Sequence, residues 1–379
     1  MIDYFVNHSK KDKATSLVFT GDMVLDVEDS AHWLSGIADA LAVSDLNIVH
    51  IEVPHTACSE EMEGDIPAPG ADPENLNPLS ALGKTVATLA GNHIADCGMQ
   101  GIMDTRSKLA DLGILSTGAG RDIGQAREPV TIEVDGRRIA VIAYNCVGPE
   151  LSWAGKNKAG CAYLPMSTLS GEPVSPTVEL SAVSEEALSI LREDIGQVRR
   201  KADLVIVALH KGIVHTPAVL AAYERPVAHA AVEAGADIVI GHHAHIVRGI
   251  EFHNGKPVFH GLGNGCVVTR ALSPNATHPK RAEWARRRKE LFGFEPDPRY
   301  ELAPFHPEAV NAFLGCVVWH RDGRLETGII PLYVEPPGRP VIANREMSER
   351  ICAYLKDITV RAGLPMINLE YREGVVFIS

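Results

Sequence analysis

Three histidines fall within four residues at His242-His243-Ala244-His245, directly after an apolar run, Asp237–Ile240, and a glycine. An imidazole taken out of water needs a partner, and packing alone rarely supplies partners to three neighbours at once. Four other apolar runs also end on residues that can do chemistry. Ser16–Thr20 leads into Gly21-Asp22. Leu46–Ile51 ends at Glu52, with His50 one alternation earlier. Thr85–Ala90 ends at Gly91-Asn92-His93, and Leu204–Leu209 ends at His210. Singly, each has a plainer reading: Asp22 or Asn92 as a turn or helix cap, Glu52 as a solvated charge, His210 as a hydrogen-bonded core histidine. Jointly they offer the oxygen and nitrogen donors that suit a borderline divalent cation, with Zn, Mn, Fe and Co equally compatible. The alternative use of the same imidazoles is acid–base catalysis.

The elements that must carry these residues are short apolar strands alternating with helix-period stretches. Further strands are expected at Ile114–Thr117, Arg138–Tyr144, Pro257–Gly261 and Leu314–His320, with Arg321–Arg324 (RDGR) as a hairpin turn. Helices are expected at Ser30–Ala42, Met99–Leu112, Glu185–Lys201 and Pro217–Ala234. Continuous apolar strands between helices predict a buried, largely parallel sheet, whose C-terminal edge would collect all five polar endings. Glu60–Pro78, Trp153–Thr177 and Ser273–Glu308 break the rhythm and read as loops. Loops of that length in a compact domain are usually lids or substrate loops.

The motifs Gly21-Asp22, Glu52 followed by Pro54, GNHIADCG (Gly91–Gly98), His210-Lys211-Gly212, GADIVIGHHAH (Gly235–His245) and GLGN (Gly261–Asn264) recur in this order. Together they resemble the CapA-type poly-γ-glutamate capsule-synthesis family, a branch of the calcineurin-like metallophosphoesterase fold. The resemblance runs over roughly Leu17–Asn264, with a further strand near Gly315–Tyr333. It implies an α/β sandwich of mixed sheets flanked by helices, as one domain over residues 1–379. Within it, 273–308 is expected as a substrate-loop insertion and the chain from about 335 as a C-terminal extension. It also implies a site for one or two divalent metal ions. Asp22 and His245 would serve the first metal, Glu52 would bridge, and Asn92, His210 and His243 would hold the second. His93, with His210 and His245, would be the catalytic imidazoles, His93 as general acid.

The match has departures. Val24 stands where such phosphoesterases carry a histidine, His50 where the family has asparagine, and Lys211 and Val214 where it has tryptophan and glutamate. His50, His55, His215 and His242 are therefore additional imidazoles to place. One metal, a differently ligated pair, or none remain open on these grounds.

Composition narrows the function. The 36 Lys+Arg against 48 Asp+Glu leave a net charge of −12, which excludes the basic footprint of a nucleic-acid binder. The basic cluster Lys280, Arg281, Arg286, Arg287, Arg288 and Lys289 reads either as a solvated helix face or as a clamp on an anionic substrate. Lys211 and Arg281 are the candidate substrate anchors. Seven cysteines without CxxC spacing fit a reducing compartment. Residues 1–16 lack a signal-peptide apolar core, and no run is long enough to span a bilayer, so a cytoplasmic protein without a membrane partner is expected. The leading expectation is a soluble metal-dependent hydrolase acting on an amide, ester or phosphoester bond of a small anionic molecule or peptide. A peptide or amino-acid epimerase or lyase using the same histidines is the alternative. A non-enzymatic poly-γ-glutamate assembly component is the third reading.

Overall fold

In the computed structural model, residues 14–62, 68, 70–174 and 178–379 are described. Most of the N-terminal stretch read as lacking a leader, and parts of the first two predicted loops, lie outside them. Sixteen strands form two large sheets. The first begins with β1 (Thr15–Asp26), β2 (Leu46–Ile51), β3 (Thr85–Thr88) and β4 (Leu115–Thr117). The chain then builds the second from β5 (Val130–Val134), β6 (Arg137–Asn145), β7 (Leu204–Lys211), β8 (Ile238–His243), β9 (Ile250–His253) and β10 (Lys256–Phe259). It returns to the first with β11 (Asn264–Thr269), β12 (Asn311–Trp319), β13 (Leu325–Glu335), β14 (Arg339–Ile342), β15 (Leu369–Arg372) and β16 (Val375–Ile378).

The ten-stranded sheet runs β15-β16-β13-β12-β1-β2-β3-β4, with β11 beside β1 and β14 beside β13; the six-stranded sheet runs β9-β10-β8-β7-β6-β5. Both are mixed: β1 to β4 and β6-β7-β8-β10 are parallel, and the hairpins added at the edges are antiparallel. Alternation along each strand explains the stacking. Leu17, Phe19, Ile48 and Val86 of one sheet meet Ile139, Val141, Ile206 and Ile240 of the other in a shared inner core. Their neighbours Val18, Val49 and Ala87 face outward under α1 (Gly98–Asp111), and Ala140, Val205, Val207 and Val239 face outward under α2 (Glu185–Arg199) and α3 (Glu224–Ala234). A strand buried on both faces has no polar alternation to show, which is why the runs read as continuous.

Several expectations are corrected. The five polar endings do not share one sheet: three come from the larger sheet and two from the smaller. An apolar run states that it is buried, not which strand it pairs with. Ser30–Ala42 divides into two short helices, Ser30–Leu34 and Ala38–Ala42. The helix expected from Pro217 starts only at Glu224; before it, the Val219 carbonyl accepts from the buried Arg248 and the Ala221 amide donates to the Glu224 carboxylate. The segment 273–308 contains helices Pro279–Arg286 and Arg288–Phe292. Beyond 335 the chain adds strands to the larger sheet, and α4 (Arg345–Arg361) buries Leu355 and Ile358 in the inner core. Among the described residues, no helix is long and apolar enough to cross a membrane.

Gly21 marks the point where β1 leaves one partner for others, with a register shift between Phe19 and Asp22. A Cβ at Gly21 would lie 2.0 Å from the Gly263 carbonyl oxygen, while the Asp22 amide donates to that same oxygen at 2.9 Å. Gly21→Ala is therefore expected to cost about 1–3 kcal/mol or more of stability, since backbone rather than a flexible side chain must yield. Urea unfolding would measure it, and an unchanged midpoint would show that the strand crossing gives way freely.

Candidate metal centre

Asp22 is fully buried at the mid-point where β1 changes neighbours, and it sits in register with His50 on β2. On the facing sheet His210 and His242 are also in register. His210 follows Ala208 and His242 follows Ile240 on the inward face, so both imidazoles enter the space between the sheets. β8 then ends in an irregular turn. His243 (φ 88°) and His245 (φ 51°) adopt the left-handed conformation that non-glycine residues rarely take, as does His215 (φ 58°). That turn brings the His243 amide within 3.2 Å of one Asp22 carboxylate oxygen and places His245 Nδ1 3.6 Å from it.

Hydrogen bonds decide which imidazole nitrogens remain available. The Thr88 hydroxyl donates to the Val49 carbonyl, so it accepts from His50 Nδ1 at 3.0 Å and leaves His50 Nε2 with its lone pair. Asn92 Oδ1 accepts from His210 Nε2 at 2.8 Å, leaving Nδ1 unpaired; His243 Nδ1 lies 3.2 Å from the same His210 Nε2. His50 Nε2 and His210 Nδ1 are buried without a hydrogen bond, and the buried Glu52 carboxylate faces His245 Nε2 at 3.2 Å. A Cβ placed on Gly91 would fill the space against the His50 and His210 nitrogens, at 3.3 and 3.6 Å. The absent side chain therefore keeps open the volume toward which unpaired donors converge.

The electrostatics point the same way. Burial and the adjacent Glu52 carboxylate hold Asp22 well above the usual carboxyl range. Glu52 is also buried, yet His245, His93 and His50 hold it down to about 2. His245 resists its burial and is pushed up to about 9 by Glu52, at 3.2 Å, and by Asp22. One imidazolium thus faces two buried carboxylates, and the second has no full counter-charge. Burial, reinforced by neighbouring imidazoles, keeps His50 and His210 well below their ordinary range and His243 near about 3. They are neutral and ready to donate lone pairs.

Two groups of three ligand atoms lie within 4.8 Å of one another: Asp22 with His50 and His210, and Asp22 with Glu52 and His245. This donor set fits a divalent cation, and it fits two that share Asp22. The resemblance placed Glu52 as the bridge; here Asp22 belongs to both groups, and His50 joins where the family has asparagine. Asn92, His210 and His243 are brought together as expected, but through hydrogen bonds among themselves.

The other candidates divide. His93 is partly exposed, with Nδ1 2.7 Å from the fully buried Asp96 carboxylate, which also accepts from the Ala68 amide. His242 supports rather than faces the centre: it bonds to the Thr20 carbonyl and stacks on His50 at 4.4 Å. His215 is buried among Phe292, Phe294 and Phe305, 6.1 Å from the His245 ring. His55 is buried elsewhere, its Nδ1 3.2 Å from the Val53 carbonyl and its backbone amide on Thr105. Lys211 does not fit a substrate anchor: strand alternation turns it to the other face of β7, where its ammonium is fully buried on Glu224 (3.0 Å) and His260. Arg281 is buried against Glu61 at 2.7 Å, and Arg288 donates to the Pro304 and Leu272 carbonyls. The basic segment is thus largely occupied in holding itself and the 58–62 loop together.

Sequence reasoning missed Thr88, Asp96, Asn264 and Phe305. Asn264 Oδ1 lies 3.0 Å from His245 Nδ1, and Phe305 stacks on the His245 ring at 4.8 Å. Asp96 and Asn264 stood inside quoted motifs, whereas Thr88 and Phe305 carried no local signal.

Comparison with known proteins adds a lineage. Residues 16–267 match the family model described as bacterial capsule synthesis protein PGA_cap. A probable polyglutamine synthesis accessory protein of Mycobacterium tuberculosis is 30% identical over 240 residues, covering 61% of this chain and 59% of the relative. The PGA biosynthesis protein CapA of Bacillus subtilis is 30% identical over 192 residues, covering 50% of this chain and 44% of the relative. The chain therefore matches about three fifths or less of the length of these relatives. Among solved structures, the calcineurin-like phosphoesterase YfkN of Bacillus subtilis aligns over 91% of this chain and 98% of its own, at 13% identity and a TM-score of 0.36.

Proposed function

This chain belongs to the bacterial capsule synthesis family PGA_cap, and from that premise we propose that it is a metal-dependent hydrolase. Its substrate is a small anionic molecule or peptide, cleaved at an amide, ester or phosphoester bond. The observation that carries the reading is the convergence on Asp22 of two unpaired buried imidazole nitrogens, His50 Nε2 and His210 Nδ1, and of the buried Glu52–His245 pair, around a space that a side chain on Gly91 would fill. Leaving such groups unpaired costs about 1–3 kcal/mol each, more for a charge. A protein retains that cost where a ligand removes it. Asp22 with His50 and His210, and Asp22 with Glu52 and His245, would hold one or two divalent cations, with His243 adjoining; such a cation would supply an activated water and neutralise developing negative charge.

The chain's own groups then have distinct tasks. The His243 amide and His245 fix the Asp22 carboxylate. Thr88 and Asn92 hold the His50 and His210 rings in the tautomers that present a lone pair. Asn264 and Phe305 hold the His245 ring in place. His93, oriented by Asp96 and partly exposed, would give a proton to the leaving group. The polyglutamine and PGA names of the relatives, with the poly-γ-glutamate family that the motifs resemble, favour an amide-bearing substrate with carboxylates.

Metal content by plasma mass spectrometry is the test, on wild type beside Asp22→Ala and His243→Ala. About one to two equivalents of a transition metal are expected in wild type, with affinity at least about tenfold weaker in either variant. A wild type that takes up no divalent metal after reloading overturns the reading.

A further inference from the structure

Beside the candidate centre lies a cavity of about 140 Å³. Its walls are mainly apolar: Val267 on β11, Val334 on β13, and Ala303, Phe305, Ala309 and Val310 from the end of the 273–308 segment and the turn after it. Its polar lining is already engaged. The Tyr300 hydroxyl meets the Tyr333 hydroxyl and the Val334 carbonyl, both at 3.1 Å. Arg299 is doubly bonded to Asp297, and His306 Nδ1 accepts from the Glu308 amide. Asn264 holds His245. A pocket whose polar groups are satisfied gains little from a charged occupant and much from an apolar one. The volume corresponds to a benzene-sized group, for which a cavity of about 150 Å³ suffices.

The cavity is not remote from the chemistry. Two of its lining residues, Asn264 and Phe305, are those that touch the His245 imidazole. Arg299, the cation in the lining, is bonded to Asp297, and Arg281 and Arg288 of the 273–308 segment are held by protein partners, so recognition of an anionic end falls to the metal centre and not to this pocket.

We propose that this cavity is a substrate subsite, taking an uncharged apolar side group about the size of a phenyl ring, attached next to the bond that the centre acts on. The proposal rests on the hydrolase reading above for the last clause, and on the cavity alone for the binding. The full chain, labelled at its Ala and Val methyls, is titrated with benzyl alcohol and separately with acetate, with and without metal. Benzyl alcohol is expected to shift the Val267, Ala309 and Val310 methyls saturably in both states, and acetate is not. Ala309→Leu should weaken benzyl alcohol at least about tenfold with melting temperature and metal content unchanged. If Ala309→Leu fails to fold, Val267→Ala should instead admit 2-naphthylmethanol, which wild type excludes. Equal binding by Ala309→Leu, equal shifts with acetate, or no gain in Val267→Ala would each overturn the subsite. Because the probe requires neither metal nor turnover, a metal-free protein defeats the hydrolase reading and leaves the binding result standing. An active hydrolase that treats benzyl and methyl esters alike, in wild type and Ala309→Leu, defeats the subsite alone.

Discussion

Between pH 7 and about pH 5 the metal-free protein is expected to lose several kcal/mol of stability, enough to consume most of a typical 5–15 kcal/mol. Seven buried histidines cause it. Burial holds His50, His210 and His215 well below their ordinary value of 6.5, His55, His242 and His260 near about 4, and His243 near about 3. In the unfolded chain all seven take up protons as pH falls through 6.5, while in the folded chain His55, His242, His260 and His243 stay neutral down to about pH 4 and burial holds His50, His210 and His215 neutral well below 6.5. The unfolded state therefore binds more protons across that window, and stability falls with falling pH, by a little over 1 kcal/mol per pH unit for each histidine. His245 works in the opposite sense: its raised value stabilises fully below 6.5 and is lost as pH rises through about 9, so it contributes no slope in the acid window. Asp22, whose carboxyl is held high, binds its proton more readily folded than unfolded and so works against the histidines as pH falls. His55 and His260 lie clear of the candidate centre, so part of the slope persists when metal is bound. Urea midpoints from pH 7 to 4.5 would measure the effect, and a flat profile would refute it.

His93→Ala is expected to lower turnover about 100- to 10,000-fold, the usual worth of a positioned general acid, while metal content stays at the wild-type level. His93 is not among the five residues of the two ligand groups, Asp22, His50, His210, Glu52 and His245, and its ring is tied to Asp96 instead. Asp96→Asn should act through His93, so the double variant should be scarcely slower than His93→Ala alone, as expected for residues working as one unit. A normal turnover in His93→Ala would assign the proton transfer elsewhere. A lost metal would make His93 a structural support of the centre.

Much of the candidate site was legible in the sequence because strand ends are local features. Asp22, Glu52, His210 and the His242–His245 triplet each follow a run whose apolar character declares it buried, and a polar residue at the end of such a run stands out. Asp96 was hidden by appearing an ordinary loop acid, three residues after His93. Thr88 and Phe305 were invisible, since a threonine within a strand and a phenylalanine in a long loop look the same whether or not an imidazole meets them. Lys211 was misread for a related reason: its neighbour His210 points into the centre, but strand alternation sends the lysine to the opposite face.

By itself, the sequence determined where the buried strands lie and that histidines and carboxylates stand at their ends. These follow from periodicity and residue chemistry within a few positions. The tertiary structure alone decided that the strands divide between two facing sheets, and that Asp22, not Glu52, lies within reach of both ligand groups. It also decided which nitrogen of His50 and His210 stays unpaired, and that the basic segment spends its charge on Glu61 and backbone carbonyls. Each of these depends on contacts between residues far apart in the chain, where side-chain direction and partner choice are set by packing and leave no local trace.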